Sequence, residues 1–191
     1  MRHPFESIPR GVRGRLLLPL LAATLLILVI WVVMVSPMSN ERAPLSVSSF
    51  GMAGSLERAR EMMASWDERA RLSGVFGIGF DFLQLVVYST TVAMACAWVA
   101  QSFRENGHRG LSSIGVLLAW GQWLAVICGT VQNAVMMSLL LGSGSEAWLG
   151  ISYWSTLLKL LLLILGPAYA LAGWLRLRWT GFAIPRLPEV G

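Results

Sequence analysis

Residues 16–35 form a run of 20 residues without a charged side chain, and this feature constrains the fold more than any other. An α-helix rises about 1.5 Å per residue, so about 20 apolar residues cross the ~30 Å hydrocarbon core of a bilayer. Three further apolar runs cover residues 75–100, 113–141 and 149–175. Of the 191 residues 55% are hydrophobic and 13% are charged, whereas soluble domains average about 25% charged residues. The sequence therefore predicts an all-α polytopic membrane protein built as a bundle of four transmembrane helices.

The segments outside these runs differ in composition. Residues 1–15 are basic, and the apolar run after them is longer than the about 7 to 15 residues of a cleaved secretory signal, so we interpret it as an uncleaved anchor. Residues 36–55 are rich in Ser, Pro and Gly, which predicts an extended loop. Residues 56–72 carry apolar side chains at three- and four-residue steps, the pattern of an amphipathic helix. We expect its apolar face to lie on the membrane surface or to cap the bundle, and the alternative is a lid over a site or a docking surface for a partner.

Arginine is unevenly distributed among the connecting segments. Residues 1–15, 101–110 and 176–191 together hold nine arginines. Residues 36–74 hold five arginines offset by five acidic residues, and residues 142–146 hold no basic residue. Because Lys and Arg in short loops mark the cytoplasmic side, we expect both termini, including the tail 176–191, in the cytoplasm. The segment 36–74, with its amphipathic helix, is then extracytoplasmic.

The same arginines account for the positive charge of the chain. The formal net charge is +5 and the pI is near 10.0, and in a polytopic protein this balance reflects cytoplasmic loops, so no nucleic-acid partner is predicted. Fourteen of the 15 basic residues are Arg, which we take as the mark of a GC-rich bacterial genome. The expected location is a bacterial inner membrane, with the lipid bilayer as the first partner.

Two ionisable side chains fall inside the predicted spans, where a charge costs about 2.5 kcal/mol or more. Asp81 lies about six residues below the outer end of the second span, and Lys159 about ten residues below that of the fourth. Gln132 and Asn133 of the third span share this depth, in the outer half of the membrane. We therefore predict an ion pair between Asp81 and Lys159 within a polar layer, which is either a lock on helix register or a ligand pocket. The predicted layer consists of Asp81, Gln84, Tyr88, Gln132, Asn133, Ser155 and Lys159.

Motifs for catalysis, metals or cofactors are absent from the sequence. The two histidines, His3 and His108, lie outside the predicted spans, which excludes a haem held by intramembrane histidines. Cys96 and Cys128 do not form a C-x-x-C motif, and their depths differ by about 15 Å, so no disulfide is expected. No metal site and no cofactor are predicted, and an enzymatic activity has no support in the sequence.

Two functions of different classes fit the predicted polar layer. The first is a binding or accessory subunit that holds a hydrophobic or lipid-like ligand, or a membrane-protein partner, around the pair of Asp81 and Lys159. The second is a small proton-coupled transporter or channel that uses the same pair, as a homo-oligomer. The first is favoured because the charged layer has no catalytic residues around it and because no half of the chain resembles an inverted repeat.

Overall fold

The computed structural model of the protein describes residues 3–179, which are 85% helical and contain no strand. Among these described residues, four helices are long and apolar enough to cross a membrane. Most of the predicted tail, residues 180–191, lies outside the described residues. The α-helices are α1 (Arg10–Val35), α2 (Val47–Gly51), α3 (Leu56–Ala64), α4 (Glu68–Glu105), α5 (Arg109–Leu140) and α6 (Glu146–Trp179), and two short 3-10 helices cover Pro4–Ser7 and Ser36–Met38.

The long helices extend beyond the predicted apolar runs. Helix α4 has 38 residues and begins seven residues before the predicted span 75–100. The carboxylate of Asp67 accepts a hydrogen bond from the amide of Ala70 (2.7 Å), which satisfies one of the free N–H groups of the first turn. At the other end Gly107 has a φ of +81°, a conformation that suits glycine and ends the helix.

The amphipathic helix predicted for residues 56–72 is divided in the structure. Helix α3 ends at Ala64, residues 65–67 are not helical, and Glu68 already belongs to α4. A single 3.6-residue period could not reveal the break, because the apolar positions continue across it. The apolar face is buried in the protein's own core, with Ala59, Met62, Trp66 and Ala70 all nearly inaccessible. Leu56 and Met63 on the same face are half-buried against this core, so most of the face packs inside the protein.

The described chain divides into two compact units. The first unit contains residues 3–24, 87–125 and 161–179, and the second contains residues 25–86 and 126–160. Each unit has its own buried apolar clusters.

In the second unit, the segment 36–55 is folded and partly buried, although its composition predicts an extended loop. Helix α2 lies within it, and Phe50 is fully buried against Trp66 with ring centroids 5.1 Å apart. The indole N–H of Trp66 donates to the carbonyl of Met38 (2.9 Å), and the hydroxyl of Ser46 donates to the carbonyl of Val35 (2.7 Å). Tertiary hydrogen bonds of this kind satisfy backbone groups that a Ser- and Gly-rich sequence otherwise leaves to water.

In the first unit, the N-terminal segment is docked on the helices. The ring of His3 packs on Trp120 at 4.9 Å between centroids, and Phe5 lies 6.4 Å from Trp123. The carboxylate of Glu6 forms a salt bridge with Arg104 (2.8 Å). The basic character of residues 1–15 gave no indication of this contact.

Candidate functional site

The candidate site lies in the second unit, where three side chains from three helices meet. Asp81 of α4 is only 6% exposed, and its Oδ2 accepts a hydrogen bond of 2.9 Å from Nδ2 of Asn133 on α5. The Nζ of Lys159 on α6, a residue 9% exposed, lies 3.9 Å from the same oxygen. A separation of 3.9 Å exceeds the usual length of a hydrogen bond, so the two charges attract each other without sharing a proton. We call Asp81, Asn133 and Lys159 the polar cluster.

A glycine permits the close approach of the three helices at the polar cluster. A Cβ at position 129 would lie 2.6 Å from both δ-carbons of Leu85 and 3.0 Å from Cδ of Lys159. Real side chains do not tolerate such contacts, so any larger residue would displace either the α4 leucine or the stem of the lysine. Gly129 therefore leaves room for the side chains of Leu85 and Lys159 beside α5, in line with small residues at closely packed helix interfaces.

Several buried polar atoms of the second unit have no hydrogen-bond partner among the described residues. They are buried amide oxygens, whereas the ammonium of Lys159 is paired with the carboxylate of Asp81 at 3.9 Å. A buried donor or acceptor without a partner costs about 1–3 kcal/mol, so a ligand that donates hydrogen bonds to these oxygens would offset this cost. The unpartnered amide oxygens are Asn133 Oδ1, Gln84 Oε1 and Gln132 Oε1.

Helix α2 contacts α5 and α6 beside Gln132, a feature that sequence reasoning missed. The carbonyl of Gly51 accepts hydrogen bonds from the hydroxyls of Ser152 (3.2 Å) and Thr156 (3.4 Å). A Cβ on Gly51 would collide with the amide nitrogen of Gln132. The spacing of Ser152 and Thr156, one turn apart on α6, was the available signal. Their partner could not be predicted, because it is a backbone carbonyl 101 residues away from Ser152.

Two of the predicted layer residues have other surroundings. Ser155 is half-buried and forms no side-chain hydrogen bond with a described residue, whereas its neighbours Ser152 and Thr156 are buried. Tyr88 belongs to the first unit, where its hydroxyl donates to the carbonyl of Leu163 (2.7 Å). Both residues were predicted from their helical spacing, which gives a face but no partner.

The described part of the chain contains no cluster of side chains that could bind a metal ion, and its two cysteines are far apart in the sequence and unpaired. No group of three or more His, Cys, Asp or Glu side chains could hold a metal ion among residues 3–179. Cys96 and Cys128 are free thiols, both buried, and they belong to different units. The thiol of Cys96 lies 3.3 Å from the carbonyl of Gly166, a contact within the core of the first unit.

Comparisons with family models, with curated proteins and with solved structures find no match to this chain. The polar cluster and the exposed surface of the helices are therefore the features that bear on the function.

Proposed function

We propose that the four long helices cross a bilayer, with both termini in the cytoplasm and α3 outside. The support is the apolar surface that the helices expose: Leu18 is 68% exposed, Leu26 62% and Val33 66% along α1 alone. Apolar surface of this extent requires lipid or protein to cover it. The excess of arginine in residues 1–15 and 101–110 supports the orientation.

Within this membrane protein, we propose that the polar cluster is the binding site of a binding or accessory subunit. The observation that carries the proposal is the set of buried amide oxygens without partners among the described residues of the second unit, together with the ammonium of Lys159, which lies 3.9 Å from its carboxylate partner Asp81. The ammonium of Lys159 needs an acceptor, and the oxygens of Asn133 and Gln132 need donors. A ligand that offers both, such as the hydroxylated head group of a lipid-like molecule, fits these requirements, and so does a polar side chain of a partner helix.

Mild-detergent purification followed by mass analysis of bound molecules tests the proposed site. We expect wild-type protein to retain a stoichiometric small molecule or partner, and Lys159→Met to lose it. Ser155→Ala is the matched control, because Ser155 lies one turn away on the same helix and forms no side-chain hydrogen bond with a described residue. Equal retention by wild type and Lys159→Met would contradict the proposal.

The transporter hypothesis is tested on the same protein in liposomes. A binding subunit gives no proton or ion flux above that of empty vesicles, in wild type and in Asp81→Asn alike. Flux through wild type that Asp81→Asn abolishes, with the fold intact, would instead assign the pair of Asp81 and Lys159 to transport.

A further inference from the structure

A groove in the first unit runs along three of the long helices. Its lining spans residues 14–21 on α1, 91–99 on α4 and 167–174 on α6, and its cavity volume is about 390 Å³. Eight or nine residues of α-helix extend over about 11 to 12 Å, so the groove is about two helical turns long and follows the helices. This shape suits an extended chain.

The chemistry of the groove is that of a hydrocarbon site. Leu17, Leu21, Val92 and Leu171 are among its lining residues, and it contains no charged side chain. The hydroxyl of Thr91 already forms hydrogen bonds with Thr24 (2.9 Å) and with the carbonyl of Val87 (2.8 Å). A sugar or a nucleotide would lose its hydrogen bonds on entering such a groove, whereas an alkyl chain would lose none.

One end of the groove has a different character. Trp98 and Trp174 lie there, near the C-terminal ends of α4 and α6, beside Gly14 near the beginning of α1. The guanidinium of Arg178, which is exposed, stands over the ring of Trp174 at 5.2 Å from its centroid. Indole rings favour the level of lipid head groups, and a guanidinium pairs with phosphate. The groove is thus apolar along its length and cationic at one mouth, which matches the polarity of an anionic phospholipid.

We propose that this groove binds an acyl chain of an anionic phospholipid from the cytoplasmic leaflet, with Arg178 in contact with the phosphate. The occupant is a lipid because the lining is apolar and the helices are proposed to lie in lipid. The lipid is an anionic one because Arg178 lies near the C-terminal end of α6, which is proposed to face the cytoplasm. The cytoplasmic leaflet carries the negative surface charge. The inference rests on the proposed insertion and orientation, but it does not depend on the ligand of the polar cluster.

The experiment is a lipid competition followed by native mass spectrometry. Detergent-solubilised protein is mixed with phosphatidylglycerol and phosphatidylcholine of identical acyl chains, and the bound ratio is measured. We expect one tightly held lipid and a preference of about fivefold for phosphatidylglycerol, the size expected for one arginine. Arg178→Gln should remove the preference and leave the binding of either lipid. Arg58→Gln, which removes an exposed charge of α3 in the second unit, is the control and should keep it.

The apolar part of the groove is tested by filling it. Ala95→Trp places an indole among the lining residues and should abolish the held lipid of either kind. Ala168→Trp adds the same ring at an exposed position of α6 outside the groove and should keep it. If Ala95→Trp does not fold, Leu171→Trp replaces it, because Leu171 lines the groove and is 60% exposed.

Three results would overturn the inference. They are equal retention of the two lipids by wild type, a preference that survives Arg178→Gln, and a held lipid in a stably folded groove-filling variant. Failure of the membrane proposal is recognised separately, since the chain would then be released from membranes by alkaline carbonate. The ligand of the polar cluster is also distinguished, because Lys159→Met should leave the lipid preference unchanged.

Discussion

At the scale of single residues, Asp81 holds the polar cluster together. Its Oδ2 accepts the hydrogen bond of Asn133 and lies 3.9 Å from the ammonium of Lys159. Loss of the carboxylate therefore leaves the lysine without its charge partner, whereas loss of the lysine leaves the carboxylate with the hydrogen bond of Asn133. Removal of one partner of a buried pair leaves the other charge uncompensated. The two single substitutions should therefore differ in cost.

We predict that Asp81→Leu lowers the free energy of unfolding by about 3 to 5 kcal/mol. Lys159→Met should cost less, about 1.5 to 3 kcal/mol, because the remaining carboxylate keeps the hydrogen bond of Asn133. Reversible unfolding in mixed detergent micelles measures both, with Ser155→Ala as the neutral control. A larger loss for Lys159→Met than for Asp81→Leu would contradict the geometry of the cluster.

The sequence allowed part of the cluster to be predicted. Asp81 and Lys159 stand out because charges are rare in apolar runs, and their depth along the helices follows from the rise per residue. Ser155 was predicted for the layer, whereas Ser152 and Thr156 form the hydrogen bonds to α2, because helical spacing alone does not say which hydroxyl meets a backbone carbonyl. The role of Gly51 was not predictable either, since its partners come from helices far along the chain.

At the scale of elements, helix α2 depends on the absence of a side chain at Gly51. We predict that Gly51→Ala costs about 1 to 3 kcal/mol, because its Cβ would displace the amide of Gln132 and disturb the hydrogen bonds of the Gly51 carbonyl. Gly79→Ala is the matched control, since no atom lies within 4 Å of its Cβ position. That control should be neutral or stabilising by up to about 1 kcal/mol. Equal effects of the two substitutions on thermal unfolding would show that α2 is not packed at Gly51.

The docked N-terminal segment should respond to pH. Burial lowers the pKa of His3, with the carboxylate of Glu6 opposing the shift, and Nδ1 of the neutral ring accepts a hydrogen bond from the amide of Phe5 (3.2 Å). The undocked segment therefore binds a proton more readily than the docked one. Docking is fully stable above the undocked pKa of about 6.5 and weakens as the pH falls below it.

Hydrogen exchange of residues 3–8 at pH 7.5 and at pH 5.5, corrected for intrinsic rates, measures this docking. We expect lower protection at the acid pH in wild type and no pH dependence in His3→Gln, which cannot titrate. Protection that rises on acidification would contradict the burial of a neutral imidazole.

The long helices were predictable as elements, whereas their ends and the segment 36–74 were not. Apolar runs of 20 residues or more fix the existence of α1, α4, α5 and α6. The N-terminal extension of α4 depends on the cap at Asp67, and the fold of residues 36–55 depends on tertiary contacts of Phe50 and Ser46. Residue composition predicts neither the extension of α4 nor the fold of residues 36–55.

At the scale of the whole molecule, the proposed orientation places residues 1–15 and 142–146 on opposite sides of the membrane. We predict that Ser143→Cys reacts with a membrane-impermeant maleimide on intact cells, whereas Ser7→Cys reacts only after permeabilisation. Both positions are exposed. The background carries Cys96→Ala and Cys128→Ala, which removes the two native thiols. The reverse pattern of labelling would invert the topology, and labelling of both on intact cells would refute the four-span arrangement.

The double variant Asp81→Leu/Lys159→Met separates a ligand-binding polar cluster from a pair that only holds the helices together. This variant replaces both charges by apolar side chains, so it should recover much of the stability that either single variant loses. A binding site predicts that the recovered protein no longer retains the bound molecule found with wild type. A double variant that is folded and still co-purifies with the same molecule at wild-type stoichiometry would contradict the claim that the polar cluster binds it.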